Sequence, residues 1–352
     1  MPRSPQRTPA SRPAVPPGGA QGRVVVFGEV LCDLFAPTSG LIAQAAHLVP
    51  RLGGAPANVA VQLARLGVPT SLITATGADP FGVRLLAELT REGVDVGAVA
   101  CRPQRRTGVT LVEVDDDGER RFFGFRENSA DLSLDVEDIE RPAATDAMSG
   151  ASILHTGTVS LRSPSSRRAT RALQKRARAG GAIVSLDVNL RPGMFPSLPE
   201  LLRLANAAVC AADVVKATRE EAVALLGRDD DDDALAAWLL SRGPRLALLT
   251  FGEEGCLLAT RRASTRLRPL RDTRTIDATG AGDAFVGAAL AWLWRQRVDR
   301  AGLDALTVDD LDALGRQAGI AGAAVVTAMG ATTAMLTLPA LEALTHTTGS
   351  ST

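Results

Sequence analysis

Short β-branched runs alternate with segments of helical period along most of the chain, an alternation that calls for strands joined by crossover helices in a mostly parallel sheet. Arg23-Val-Val-Val-Phe-Gly28 reads as a buried first strand closed by glycine. Ala55 to Leu66 sets Val59, Leu63 and Leu66 at helical spacing and ends at Gly67, a C-terminal cap. A strand over Thr70 to Thr76, a helix over Phe81 to Arg91 and a strand over Val94 to Ala100 follow. The rhythm then resumes with strand Ala151 to His155, helix Ser165 to Ala179, strand Ala182 to Leu186 and helix Leu198 to Ala208. Strand Val214 to Val215 and helices Arg219 to Leu226 and Ala234 to Ser241 come next. Leu246 to Thr250, Gly255 to Ala259 and Thr265 to Leu270 read as strands, the last two antiparallel. Helices over Ala281 to Arg295 and through Ala328 close the pattern, and no internal repeat is visible.

The rhythm breaks at Thr107 to Phe125, where two strand-like runs, Gly108 to Val114 and Arg120 to Phe125, flank the turn Asp115-Asp-Asp-Gly118. That is an antiparallel insertion, and Leu31 to Phe35 and Leu41 to Val49 have room for further short strands. The fold class is therefore α/β: one doubly wound sheet with helices on both faces and a small β appendage. In such sheets ligands bind at the carboxyl ends of the strands.

The composition removes several function classes. The 352 residues carry 39 basic and 39 acidic side chains, so no net field draws the chain to nucleic acid or an anionic membrane. Cys32, Cys101, Cys210 and Cys256 lack metal-ligand spacing and suit reduced thiols in the cytoplasm. Nowhere do about eighteen apolar residues run without charge, the length of a membrane span, so a soluble protein is expected. Residues 1–22 are rich in Pro, Arg, Ser and Gly and read as a disordered tail, with 347–352 as a short tail at the other end of a 23–346 domain. Asp229 to Asp233 reads as a solvated loop whose last members favour the start of the next helix, rather than a metal site. His155, on an apolar strand, reads as packed.

Two segments carry chemistry. In Ile276-Asp-Ala-Thr-Gly-Ala-Gly-Asp-Ala-Phe285 small residues lead straight into an apolar helix, so the backbone N–H groups of Gly280, Ala281 and Gly282 can approach an anion. Asp283 stands one step further, placed for a hydroxyl; a lone aspartate there would be a helix cap, but the three small residues and the Asp-x-Thr before it outweigh that reading. Leu52-Gly-Gly-Ala-Pro-Ala-Asn58 is the second segment, and taken alone it is equally a close ligand contact or a tight strand-to-helix turn. No GxGxxG follows the first strand, which argues against a dinucleotide-dependent dehydrogenase.

Together, Gly53-Gly-Ala-Pro-Ala-Asn58 and Asp277-Ala-Thr-Gly-Ala-Gly-Asp283 resemble the two signatures of the PfkB, or ribokinase-like, sugar kinases, and the likeness runs from about Val24 to Leu344. The resemblance implies a ribokinase-like fold and magnesium-dependent transfer of phosphate from ATP to a sugar. It makes Asp283 the base and Gly280, Ala281 and Gly282 the anion hole. Asp33, Gly53, Gly54 and Asn58 match the sugar side; Lys216 and the turn carrying Thr250, Gly252 and Gly255 match the nucleotide side. Asp277 and Thr279 stand where some members bind a monovalent cation such as K+. The segments at about 31–50 and 105–126 correspond to a β lid over the sugar, often a homodimer surface in the family. Arg126 and Arg191 are candidates for sugar or phosphate oxygens, and equally for surface ion pairs.

Within the family, Gly28-Glu-Val-Leu-Cys-Asp33, Ile153-Leu-His-Thr-Gly157, Ser185-Leu-Asp-Val-Asn-Leu-Arg191 and Lys216 resemble the fructokinase branch. 2-Keto-3-deoxygluconate, ribose and nucleosides are the competing acceptors, and a non-catalytic sugar- or nucleotide-binding relative is the competing class. Three departures stand out. Arg219 occupies the position where the family often has a glutamate that orders magnesium-bound water, leaving Glu220 or Glu221 to replace it. Ala278 replaces the usual threonine or proline, and Ala321-Gly-Ala323 lacks an asparagine common near the adenine.

Overall fold

The computed structural model describes residues 22–36, 42–114, 120–268 and 275–349. The expected tail over 1–21, the Asp115–Gly118 turn, Leu41, Leu270 and the last three residues lie outside them.

In chain order, β1 (Arg23–Phe27) leads into β2 (Leu31–Phe35), β3 (Val49–Gly53), α1 (Ala55–Arg65), β4 (Thr70–Ile73) and β5 (Ala75–Gly77). Next come α2 (Pro80–Arg91), β6 (Ala100–Arg102), β7 (Gly108–Val114), β8 (Arg120–Phe125), α3 (Val136–Glu140) and α4 (Pro142–Ser149). The second half runs β9 (Ala151–Gly157), α5 (Pro164–Ala179), β10 (Ile183–Asp187), α6 (Leu198–Cys210), β11 (Val214–Thr218), α7 (Arg219–Leu226) and α8 (Asp232–Ser241). It ends with β12 (Leu246–Thr250), β13 (Cys256–Ala259), β14 (Ser264–Leu267), α9 (Ala281–Arg295), α10 (Val308–Val325) and α11 (Leu338–Gly349), which continues past residue 346.

Among the described residues the main sheet has eight strands in the order β14-β13-β12-β11-β10-β9-β1-β4. All neighbours from β4 to β12 are parallel, while β13 and β14 turn back antiparallel at one edge, as the sequence predicts. Helices cover both faces because the strands are apolar on both: Val24 and Val26 pack with α1 and α9, and Val25 and Phe27 with the α4–α5 side.

The second sheet, β3-β2-β7-β8, contains the predicted hairpin, with β7 antiparallel to β8 and parallel to β2. This is the lid-like appendage, though its third segment differs from expectation. Of Leu41 to Val49 the described part, 42–49, is no strand before Val49: Ile42–Gln44 forms a 3-10 turn and pairing begins at Val49. Val94 to Ala100 is likewise mostly a turn, because Asp95 accepts from the Gly97 N–H at 3.0 Å and bends the chain before β6. Thr70 to Thr76 divides between β4 and β5, which lie in different sheets.

Candidate active site

Helix α9 begins where the chain must turn sharply beside a neighbour. Gly280 is its N-cap with φ 83°, and a Cβ there would lie 2.7 Å from the Ala331 Cβ and 2.8 Å from its Cα. Both the conformation and the space exclude a side chain. A helix leaves its first-turn N–H groups without internal partners, so those of Gly282 and Asp283 carry uncompensated positive charge. Ala281 is different: its N–H already donates to the Ala278 carbonyl at 3.3 Å.

Glycine also brings α1 against α9. A Cβ at Gly287 would sit 2.7 Å from the Gln62 Cβ, so the helices cross closely enough for Asn58 to reach Asp283. The Asn58 Nδ2 donates to Asp283 Oδ2 at 2.8 Å in a buried contact. Burial pushes the Asp283 carboxyl up to about 6; the Asn58 bond, Lys216 and Arg191 oppose the rise, and Asp187 adds to it.

Asp33 faces this group from the lid-like sheet. It pairs in register with Arg51, and its carboxylate fills the space where Gly53 would otherwise carry a Cβ. Gly53 is thus a close-approach glycine, and Gly54 behind it is the N-cap of α1. Burial pushes Asp33 up to about 7, with Arg126 opposing and Asp283 and Asp277 reinforcing the rise. Arg126 is no surface ion-pair member: it is largely buried and donates through Nη2 to Asp131. Among the described residues its Nε is buried without a hydrogen-bond partner, as is Oε2 of the adjacent buried Glu29. Arg191 is exposed, and Nη1 donates to its neighbour's carbonyl, Leu190 O, at 3.0 Å.

On the other side, Lys216 is buried with Nζ 3.2 Å from Asp187 Oδ1. Thr250, Gly252 and Gly255 form the turn at the end of β12, beside the end of β11, where Thr218 and Thr250 are in register. The Thr250 hydroxyl donates to the Ala217 carbonyl at 3.4 Å.

The acids around Arg219 now separate. Arg219 is held at the surface, with Nε 2.9 Å from Asp232 Oδ1 and Nη2 2.9 Å from Asp229 Oδ1. The acidic run is therefore a clamp on Arg219 as well as a helix start, for Asp231 caps α8 by accepting from the Ala234 N–H at 2.7 Å. Glu220 points to solvent. Glu221 turns inward, and its carboxylate accepts from Leu190 N–H at 2.7 Å and Thr218 N–H at 2.9 Å. Thr218-x-x-Glu221 is a capping box, a local signal that identifies which acid faces the site.

Asp277 is a buried tie between loops. Its Oδ1 accepts from the Thr279 N–H at 2.9 Å and the Thr279 hydroxyl at 2.7 Å, and its Oδ2 from the Gly330 N–H at 2.7 Å. His155 is packed, with Nδ1 3.0 Å from Ser185 Oγ and burial pulling its pKa down to about 4.

The chain is similar to known proteins over most of its length. The model of the pfkB family carbohydrate kinases matches residues 21–338. A fructokinase of Salmonella typhimurium is 37% identical over 271 residues, spanning 77% of this chain and 84% of that one. The crystal structure of a Xylella fastidiosa fructokinase with bound ATP superposes with a TM-score of 0.83 at 31% identity, covering 93% of this chain and 99% of its own. A fructokinase double mutant of Vibrio cholerae, in a fructose-, ADP- and potassium-bound form, gives 0.78 at 32% identity over 92% and 98% of the two chains. The chain belongs to the pfkB family of carbohydrate kinases.

Proposed function

We propose that this carbohydrate kinase transfers the γ-phosphoryl group of ATP to a hydroxyl of fructose, with Asp283 as general base. The observation that carries the reading is the 2.8 Å bond from Asn58 to Asp283, which joins the two glycine-rich segments across 225 positions of sequence. With Oδ2 occupied by Asn58, Oδ1 is left to take the proton of the attacking hydroxyl. A carboxyl with a pKa of about 6 is ionised at neutral pH and still basic enough for that task. The Gly282 N–H, presented by the Gly280 turn, takes the charge that develops on the transferring group. Asp33, the Gly53–Gly54 backbone and the Arg126 Nε hold the remaining sugar hydroxyls.

ATP lies along the Thr250–Gly255 turn in this reading, reaching Lys216 with its phosphates. Among the described residues no cluster of three or more His, Cys, Asp or Glu could hold a metal ion, which suits Mg2+ carried in by phosphate oxygens and water. Glu221 is the acid that would orient that water, and the ion, when bound, supplies charge neutralisation between the phosphates. K+ would stand beside the Asp277–Thr279 loop, as suits a loop whose carboxylate is already fixed by three donors.

Fructose is favoured by the Gly28–Asp33 and Ser185–Arg191 segments and by relatives named as fructokinases. One observation favours a second acceptor: the Arg191 guanidinium is exposed and, among the described residues, bonds to a backbone carbonyl alone, which suits the carboxylate of 2-keto-3-deoxygluconate. A coupled ADP-release assay across fructose, 2-keto-3-deoxygluconate, ribose and a nucleoside decides between them. Fructose is expected to give the highest kcat/KM, and a strong preference for another acceptor would overturn it.

The edge strand β8 exposes Phe122, Phe123 and Phe125 at 55%, 47% and 67%, an apolar rim that a second copy of the chain would cover. Replacing Phe123 and Phe125 together by Ser is expected to halve the mass measured by light scattering. A wild-type chain that is already monomeric would rule the lid contact out.

A further inference from the structure

Asp187 and Lys216 face one another in register on the parallel strands β10 and β11. Both are buried, with Nζ 3.2 Å from one carboxylate oxygen of Asp187 and 3.5 Å from the other. The pair does not end at the sheet: a Cβ on Gly282 would lie 3.1 Å from the Lys216 Nζ, so the ammonium touches the first turn of α9. Glu221 on α7, Asp283 on α9 and His155 on β9 are the other titratable groups that face it. Glu221 has little freedom to hold the lysine, since each of its oxygens already accepts a backbone N–H.

We infer that Asp187 is a positioning residue for phosphoryl transfer, holding the Lys216 ammonium beneath the Gly282 turn so that it meets the transferring phosphoryl group beside the backbone N–H donors. The inference rests on the kinase reaction proposed above and deepens it. In that step the phosphorus–oxygen bond to ADP breaks, a bond to the sugar oxygen forms, and the hydroxyl proton goes to Asp283. Lys216 keeps its own proton throughout and contributes charge that is already in place, which is the effective form of electrostatic stabilisation. Burial alone would drive the amine toward neutrality. Asp187, then Glu221 and Asp283, outweigh that pull and keep it charged.

A double-mutant cycle on the full chain separates this role from simple support of the fold. Lys216→Met is expected to lower kcat by about 10²- to 10³-fold, as loss of one preorganised donor does. Asp187→Asn is expected to lower it on the order of ten- to a hundredfold, with KM for the sugar little changed and Asp187→Glu recovering part of the loss. In the Lys216→Met background, Asp187→Asn should cost nothing further, because there is no ammonium left to position. The pH profile moves as well. Without Asp187 the buried amine loses its proton more readily, so kcat of Asp187→Asn falls as pH rises above neutral while the wild type stays level.

An equal loss in both backgrounds, or a wild-type pH profile merely scaled down, would overturn the inference. If Asp187→Asn alone fails to fold, Lys216→Met and the double variant still decide, since together they remove the charges as a pair. A wild-type chain that releases no ADP with any acceptor tested would instead sink the kinase reading itself.

Discussion

Asp283→Asn is expected to lower kcat by about two to four orders of magnitude, with a smaller change in KM for the sugar, because the variant keeps the Asn58 contact and the shape of the site but loses the base. Wild-type kcat/KM should fall as pH drops through about 6, where the Asp283 carboxyl gains its proton, and the variant should lack that limb. kcat/KM reports the free enzyme and should also carry Asp33, which titrates at about 7. Stability moves the other way. The folded pKa of Asp283 lies above the roughly 3.9 of an unfolded aspartate, so the folded state prefers the protonated form and its ionisation costs stability above about pH 6. Asp283→Asn should therefore melt above wild type at pH 8, by on the order of 1–3 kcal/mol, with the advantage fading as pH falls from about 6 to 4. Near-wild-type turnover would remove Asp283 from its role.

Gly280→Ala is the second large effect. The added methyl group would sit 2.7 Å from Ala331 at a φ of 83°, so the start of α9 must shift and carry the Gly282 N–H and Asp283 with it. A misplacement of about 1 Å in such a site costs on the order of a hundredfold in kcat. Circular dichroism and melting should change far less, since α9 is anchored along its length by buried Phe285, Val286, Leu290 and Leu293. Unchanged kcat would mean that the Gly280 turn is not the anion hole.

Much of this was legible in the sequence wherever a local signal set the structure. α7 and α9 match their predicted bounds because a capping box opens one and a glycine turn the other. The β7–β8 hairpin follows from the two strand-like runs on either side of an Asp-Asp-Asp-Gly turn signal. What was not legible depended on partners far away in sequence or on short-range competition. The Val94 run has strand composition, but Asp95 and Gly97 close a turn inside it. α3 and α4 are short helices opened by Asp135 and by Pro142, too brief for a periodic pattern. In the site, Asp283, Asn58, Asp33 and Lys216 carried motif context, whereas Glu29 became visible only through its burial beside Arg126, and Asp187 only through its place opposite Lys216. Sequence alone did not separate the acids around Arg219, because Asp229 and Asp232 hold Arg219 outside while Glu221 faces in, and those contacts depend on the folded loop.

Among the described residues Asp33 belongs to β2, which pairs with β3 and β7 and with no strand of the main sheet, whereas Asp283 stands in the first turn of a helix packed on that main sheet. The two carboxylates that the proposed reaction needs at one sugar are thus mounted on separate bodies of the fold. If the proposed reaction holds, a sugar would have to touch both carboxylates, whereas a water molecule at Asp283 would leave Asp33 without a partner from the acceptor. ATP bound without its acceptor would then meet only one of the two, and wasteful hydrolysis would be restrained by the architecture itself.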